Sequence, residues 1–217
     1  MRRVLIATPT YDGKVEAFYV NSLIQSIELG KINDISLIPI WMSYDALVQR
    51  SRNDLIKIAV ENNFDDIIWI DADIEWNPNW IIKLLKYNFD VIGGTYRKKT
   101  DEKELYTVKK IDEIKIEKDI LKVDGLGTGF LRMSKKAFTA LWDCSNEYKN
   151  ENVIGRMVFD VVIDNGELIG EDILVCKKLK ELGFDIYLDI TMTCNHIGNK
   201  KYYGDFKNYL ERVNANI

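Results

Sequence analysis

The 217-residue sequence has a single histidine, His196, and only three cysteines, Cys144, Cys176 and Cys194. An odd number of cysteines with no CxxC spacing argues against a disulfide framework and a cysteine zinc site, and suits a reducing compartment. Positive charge is not in excess either: 30 Lys and Arg stand against 34 Asp and Glu, a net charge of −4. Nucleic-acid-binding domains usually carry a strongly basic face, so no nucleic-acid partner is expected. No apolar stretch approaches the ~20 residues that span a bilayer. The opening apolar run VLIA, behind two arginines, is too short for a signal peptide, so a soluble, cytoplasmic protein is expected. No internal repeat and no dividing linker is present. With 47% hydrophobic and 29% charged residues, the balance is that of a globular protein. The length suits one α/β domain over residues 1–217.

What is present is an alternation of strands and helices. Residues 4–7 form an apolar run ending at Thr8-Pro9-Thr10, which reads as a buried first strand. Val15, Phe18, Tyr19, Ser22, Leu23, Ser26 and Ile27 then follow helical spacing, with Gly30 as the stop. Residues 35–40 read as a second strand and 45–61 as a helix. Residues 66–70 (DIIWI) make a third strand, and Asn77 and Pro78 open a helix as cap and first-turn proline. Val91 and Ile92 give a fourth strand ending at Gly93-Gly94. This order predicts an α/β fold with a mostly parallel central sheet flanked by helices. Function is then expected beyond the carboxyl ends of the strands, where TPTYDG, DADIE and GGTYRKK stand.

After Thr100 the pattern changes. Segments 105–109, 114–117 and 120–123 alternate in polarity, which predicts a small antiparallel addition at the sheet's edge. Residues 129–133 read as a strand, 135–142 as a helix, 145–152 (SNEYKNEN) as a polar loop, 171–182 as a helix stopped by Gly183, and 185–189 and 190–194 as strand. A last amphipathic helix spans 205–213. Around it, Tyr202, Tyr203, Phe206, Tyr209 and Leu210 stand beside Lys200, Lys201, Lys207 and Arg212, a mixture that fits docking on the domain itself, with peripheral contact to a membrane surface as the alternative.

Asp71 and Asp73 are the best local signal. Residues two apart on an extended chain point to the same side, so both carboxylates can face one ion. Mg²⁺ and Mn²⁺ favour oxygen ligands and bridge carboxylates to phosphates, whereas two close carboxylates alone repel. Taken alone, a DxD tripeptide serves equally to cap a turn; its place after an apolar strand favours the metal. His196 ends the last sheet-forming segment, and imidazole is a common metal ligand. Glu171 and Asp172 open a helix, where carboxylates also simply favour the dipole. Gly125, Gly127 and Gly129 precede a strand rather than a helix, so they are no dinucleotide fingerprint. They read either as a loop that a sugar approaches closely, with Thr128 as a hydrogen-bonding group, or as a turn or bulge.

Taken in order, TPTYDG, QRSRNDLIKIA, WIDADIEWNP, VDGLGTGFLRMS with GEDILVCKKLKELGFDIYLD, and CNHIG resemble the GT-A fold glycosyltransferases of the broad family-2-like type. The likeness runs from the first strand to His196. It implies a single Rossmann-like domain with a nucleotide-binding half at 1–100 and an acceptor-binding half at 101–217. Thr8, Pro9, Thr10 and Tyr11 would border the base and ribose, and Arg52 and Asn53 would touch the base or diphosphate. A guanidinium independently offers fixed donors to a phosphate, whereas Arg50 reads equally as part of a solvated helix face. Asp71, with Ala72 beside it, would meet the ribose or the metal, and Asp73 and His196 would ligate Mn²⁺ or Mg²⁺. Gly127, Thr128 and Gly129 would lie against the sugar or acceptor. In the Glu171–Asp172 pair, Asp172 is the expected base and Glu171 the alternative or an acceptor-orienting group.

The implied activity is an inverting hexosyltransferase reaction from a nucleotide-diphospho-sugar, UDP-linked by preference, to a glycan or glycoconjugate. Two other readings compete. Sugar nucleotidyltransferases usually carry a Gly-rich, basic loop after the first strand, and TPTYDGK has one glycine and one lysine. A non-catalytic nucleotide-sugar- or glycan-binding domain would not need the full set of acidic residues and His196. Many members of the resembled family carry membrane helices or a further domain, so the chain reads as a compact enzyme or as the catalytic portion of something longer.

Overall fold

The computed structural model describes residues 1–109, 114–150 and 153–214. Along the first half run β1 (Arg2–Thr10), α1 (Ala17–Ile32), β2 (Ile35–Ser43), α2 (Val48–Glu61), β3 (Asp66–Ile70), β4 (Ile74–Glu75), α3 (Asn79–Lys86) and β5 (Val91–Tyr96). There follow β6 (Val108–Lys109), β7 (Ile116–Glu117), β8 (Ile120–Val123), β9 (Gly125–Leu126), β10 (Phe130–Ser134), α4 (Lys135–Cys144), β11 (Glu147–Asn150) and β12 (Val153–Arg156). The chain continues through β13 (Val162–Asp164), β14 (Glu167–Ile169), α5 (Glu171–Glu181), β15 (Ile186–Ile197), β16 (Lys201–Tyr202) and α6 (Phe206–Asn214).

Among the described residues ten strands form one sheet, in the order β2-β1-β3-β10-β5-β15-β8-β7, with β4 and β16 also on β15. β1 is parallel to β2 and β3, and β5 is parallel to β15. The other pairings are antiparallel, including both sides of β10. The sheet is therefore mixed rather than mostly parallel. A buried strand reads as an apolar run whichever way it points, so the sequence pattern did not reveal that β10 returns against its neighbours. The predicted antiparallel addition is present at the edge as β7 and β8.

Alternation along the strands builds a core on each face. Leu5, Ala7, Ile67, Trp69 and Leu131 pack with Leu55, Ile56 and Ala59 of α2 and Phe138 and Leu141 of α4. Val4, Ile6, Ile68 and Ile70 pack with Tyr19 and Leu23 of α1 and Ile81, Leu84 and Leu85 of α3. All five residues of β3 are buried, which explains the unbroken run DIIWI. Its one charge, Asp66, accepts from Arg2 Nε at 2.6 Å and Arg132 Nε at 2.7 Å, satisfying the rule that buried charges are paired.

Several boundaries move. Helix α1 runs past Gly30 to Ile32, and the chain turns at Asp34, whose φ is 57°. Gly93 and Gly94 lie inside β5 rather than after it, because a Cβ on either would strike the backbone carbonyl of Phe130 or Met192 on the flanking strands. Residues 147–150 form a hairpin strand paired with β12 instead of a loop; Glu151 and Asn152 of that expected loop lie outside the described residues. Segments 185–189 and 190–194 are one strand, β15, with a register shift against β5 between Leu188 and Thr193. The last helix docks on the domain: Phe206 and Leu210 are buried, and the Tyr106 ring lies 4.9 Å from Phe206 and 5.1 Å from Tyr209. Among the described residues no helix is long and apolar enough to cross a membrane.

Candidate functional site

Because β1 and β3 are parallel neighbours, their carboxyl ends emerge side by side, and a cleft of about 660 Å³ opens there. Pro9, Thr10 and Tyr11 line it from the end of β1, Asp71, Ala72 and Asp73 from the end of β3, and Ser51 and Arg52 from α2. Glu171 contributes from the start of α5 and His196 from the end of β15. Backbone bonds stitch these distant segments together. Glu16 N–H donates to Ala72 O at 2.9 Å, and Ile197 N–H donates to Asp73 O at 2.8 Å. Strand β4 then pairs Ile74 with His196.

Arg52 is the pivot. It is only 3% exposed, and its Nη2 donates to Asp71 Oδ1 at 2.8 Å while Nε stands 3.8 Å from Glu171 Oε1. Its guanidinium lies 5.7 Å from the Trp69 ring and 5.9 Å from that of Phe159. Burial alone would lower its pKa; Asp71 and Glu171 outweigh that and hold it above the ordinary value. Nε and Nη1 have no hydrogen-bond partner among the described residues. A buried donor left unsatisfied costs about 1–3 kcal/mol, so a ligand acceptor placed here would recover free energy.

The expected three-ligand metal shell is not assembled. Among the described residues no group of three His, Cys, Asp or Glu side chains is placed to hold an ion, because the Asp71 carboxylate is turned to Arg52. Asp73 and His196 could still hold one between them. His196 Nδ1 lies 2.9 Å from Arg97 O, and a carbonyl oxygen only accepts, so that nitrogen carries the proton. Nε2 then faces Asp73 Oδ1 at 3.5 Å. Two acceptors at this separation suit a cation between them, and a backbone carbonyl behind the imidazole is the usual support of a metal-ligating histidine. The other oxygen of Asp73 holds Lys99 Nζ at 2.5 Å. Burial would raise the Asp73 pKa, but the groups at its two oxygens, His196 and Lys99, prevail and hold it below the ordinary value.

Asp172 is not among the residues that line the cleft; it is half-buried, its Oδ1 accepting from Ile173 N at 2.7 Å. Burial pushes its carboxyl above the ordinary range, and the nearby Asp71 charge adds to this.

Other expected residues serve the frame. Asn53 is 2% exposed, and its amide is taken up by Phe159, donating to the carbonyl at 2.9 Å and accepting from the N–H at 2.7 Å. It is therefore a backbone anchor rather than a free nucleotide ligand. Thr8 is fully buried, its hydroxyl 2.7 Å from that of Tyr19. Arg50 makes a two-pronged ion pair with Asp45, at 2.6 and 2.7 Å, on an exposed helix face. Thr128 is 2% exposed, and Gly127 and Gly129 surround the hydroxyl of Tyr96: Gly129 N–H donates to it at 3.2 Å. A Cβ on Gly129 would stand 2.6 Å from that hydroxyl and 2.7 Å from Asp71 Oδ2. These glycines admit Tyr96 and Asp71, which gives their absence of side chains a structural cause.

Besides the lining residues Asp12, Lys14, Glu16 and Asp45, the neighbours of His196 and Asp73 that went unnoticed in the sequence are Tyr96 and Lys99. Tyr96 is buried edge-on against His196, ring centroids 5.0 Å apart, and burial carries its hydroxyl pKa well above the ordinary value. The only signal for either was membership of the strand-end segment GGTYRKK.

A scan against protein families gives no match, nor does a comparison with curated proteins. Among solved structures, A197 from STIV superposes with a TM-score of 0.57 at 18% identity, over 91% of this chain and 86% of that one. This chain thus has a mixed α/β fold shared with A197. A glycosyltransferase involved in the glycosylation of the major capsid of PBCV-1 gives a TM-score of 0.35 at 14% identity, over 64% of this chain and 63% of that one. A proposed glucose-1-phosphate thymidylyltransferase from Bacillus anthracis, in complex with a sucrose, gives 0.38 at 9%, over 67% and 76%. At those scores neither carries an argument about the activity of this chain.

Proposed function

We propose that the protein is a GT-A-type glycosyltransferase that moves a sugar from a nucleotide diphosphate, UDP first, to a hydroxyl of a glycan or glycoconjugate. The observation that carries this reading is the convergence on one cleft of Pro9–Tyr11, Arg52, Asp71–Asp73, Glu171 and His196, with two nitrogens of the buried arginine, Nε and Nη1, that make no hydrogen bond among the described residues. A buried guanidinium with free donors matches the oxygens of a diphosphate. Asp73 and His196 would hold Mn²⁺ or Mg²⁺, which as a Lewis acid stabilises charge on a departing diphosphate.

Asp172 is the base. Its raised proton affinity brings it closer to neutral pH, where a general base is more effective. It takes the proton of the acceptor hydroxyl as that oxygen bonds to the anomeric carbon, and the bond from that carbon to the diphosphate oxygen breaks. Attack opposite the leaving group inverts the anomeric configuration. Glu171, which lines the cleft beside Arg52, orients the acceptor.

Titration calorimetry with UDP and GDP, in Mn²⁺ and in EDTA, tests the reading. One nucleotide is expected to bind, and more tightly with the ion. If neither bound under either condition, the nucleotide-sugar reading would fall. Pyrophosphate release from a sugar 1-phosphate and a nucleoside triphosphate would replace it with a nucleotidyltransferase.

A further inference from the structure

Accepting a diphosphate poses an electrostatic problem in this cleft. Asp12, Glu16, Asp45, Asp71, Asp73 and Glu171 all line it, so an incoming polyanion meets carboxylates on most sides and needs cations within reach. Arg52 is one, but it is buried and tied to Asp71. The other basic lining residue among the described residues, Lys14, is paired with Asp12 on the exposed rim.

Lys99 differs from both. It comes from the segment after β5, its side chain is 35% exposed, and its ammonium holds Asp73 Oδ2 at 2.5 Å. Its stem is steered by a close approach to Gly198, where an added Cβ would lie 3.1 Å from the lysine Cδ. The same segment carries Arg97, whose carbonyl sets the imidazole of His196. One short stretch of chain thus fixes both partners of Asp73. A lysine ammonium is a compact charge on a flexible stem, so it exchanges one oxyanion for another at little conformational cost. A divalent ion at Asp73 and His196 would compete with Lys99 for the same carboxylate and leave its ammonium beside the phosphates.

We propose that Lys99 is a phosphate-binding residue of this cleft, which neutralises Asp73 in the empty site and contacts the diphosphate of a bound nucleotide, so that nucleotide binding survives removal of the divalent ion. The proposal rests on the nucleotide-diphosphate reading of the cleft, and its test separates the two. Calorimetry would compare wild type, Lys99→Met, Lys99→Gln and Lys99→Arg, titrated with UDP and UMP, or GDP and GMP if guanine is the base preferred, in EDTA and in Mn²⁺. Wild type is expected to bind the diphosphate in EDTA. Loss of one charge-assisted hydrogen bond should weaken this about tenfold or more in Lys99→Met and Lys99→Gln. The monophosphate should change by much less, and Lys99→Arg should restore most of the diphosphate affinity.

Unchanged diphosphate affinity in both neutral variants would overturn the role of Lys99 and leave the nucleotide reading standing. Equal losses for diphosphate and monophosphate would also overturn it, since a structural role predicts that pattern. So would wild-type binding seen only with Mn²⁺. Absence of any nucleotide binding by wild type would overturn both readings together.

Discussion

Arg52 Nη2 donates to Asp71 Oδ1 at 2.8 Å, and the same guanidinium leaves Nε and Nη1 without a hydrogen-bond partner among the described residues. One buried cation therefore sets the direction of the first DxD carboxylate and still has donors to offer. Lysine at this position keeps the charge but loses the planar fork. We expect Arg52→Lys to weaken nucleotide binding at least tenfold, while Arg52→Met, which strands Asp71 without its partner, also lowers stability by about 3 kcal/mol. Calorimetry and thermal melts of the two variants read the effects separately. Wild-type affinity in Arg52→Lys would deny the free N–H groups a ligand.

The alternation of strands and helices, and the strand ends that carry the cleft, were legible because burial imposes periodicity on the chain. Strand direction was not, since DIIWI in β3 and FLRM in β10 read alike although they run in opposite senses. Arg52, Asp71, Asp73, Glu171 and His196, which the fold gathers at one cleft, stood out by residue type and position. Asn53 misled for the same reason: an amide next to Arg52 looks like a base ligand until Phe159, 106 residues away, is seen to occupy it. Lys99 and Tyr96 were hidden in a run of similar residues, where only the fold selects the one that reaches Asp73 and the one that enters between two glycines.

The two carboxylates that open α5 should separate kinetically. If Asp172 is the base, Asp172→Asn lowers turnover by about 10²–10⁴-fold and leaves nucleotide affinity within about threefold, less than 1 kcal/mol. Glu171→Gln, beside Arg52 and in the cleft wall, should act mainly on acceptor KM. Because burial raises the Asp172 pKa, the acidic limb of the rate profile should lie above the ordinary Asp value of about 3.9, and it should vanish in Asp172→Asn. Nucleotide release from the donor, followed against pH, measures both. A full-rate Asp172→Asn with an inactive Glu171→Gln would transfer the role to Glu171.

A purely structural carboxylate gives a prediction of opposite sign in pH. Asp189 is fully buried and holds Lys83 Nζ at 2.6 Å, Tyr87 Oη at 2.9 Å and Thr191 Oγ1 at 2.6 Å. Burial would raise its pKa, but these partners together prevail and lower it. A carboxylate with a depressed folded-state pKa stabilises the protein above its unfolded value of about 3.9, and this contribution is lost as pH falls through the folded value. Asp189→Asn keeps the shape and loses the charge, so it should cost about 2 kcal/mol near neutral pH, with the gap to wild type closing in acid. Denaturant melts at pH 7 and near pH 3 test this; a constant gap would assign the loss to packing.

Gly129 offers the last test, of the floor beneath the cleft. An added methyl would stand 2.6 Å from Tyr96 Oη and 2.7 Å from Asp71 Oδ2, neither of which has room to retreat: Tyr96 is buried against His196, and Asp71 is fastened to Arg52. Overpacking of this kind costs about 1–3 kcal/mol. Tyr96→Phe instead removes the hydroxyl that accepts from Gly129 N–H, at about 1 kcal/mol, without pushing on Asp71. If the glycine is there to keep Asp71 and Arg52 in register, Gly129→Ala should weaken nucleotide binding more than its loss of stability explains, and Tyr96→Phe should leave binding close to wild type. If the glycine only relieves crowding around Tyr96, the double variant should regain most of what Gly129→Ala loses, in melting temperature and in affinity alike. Persistent weak binding in the double variant would place the clash at Asp71, and with it the dependence of the cleft on that carboxylate's position.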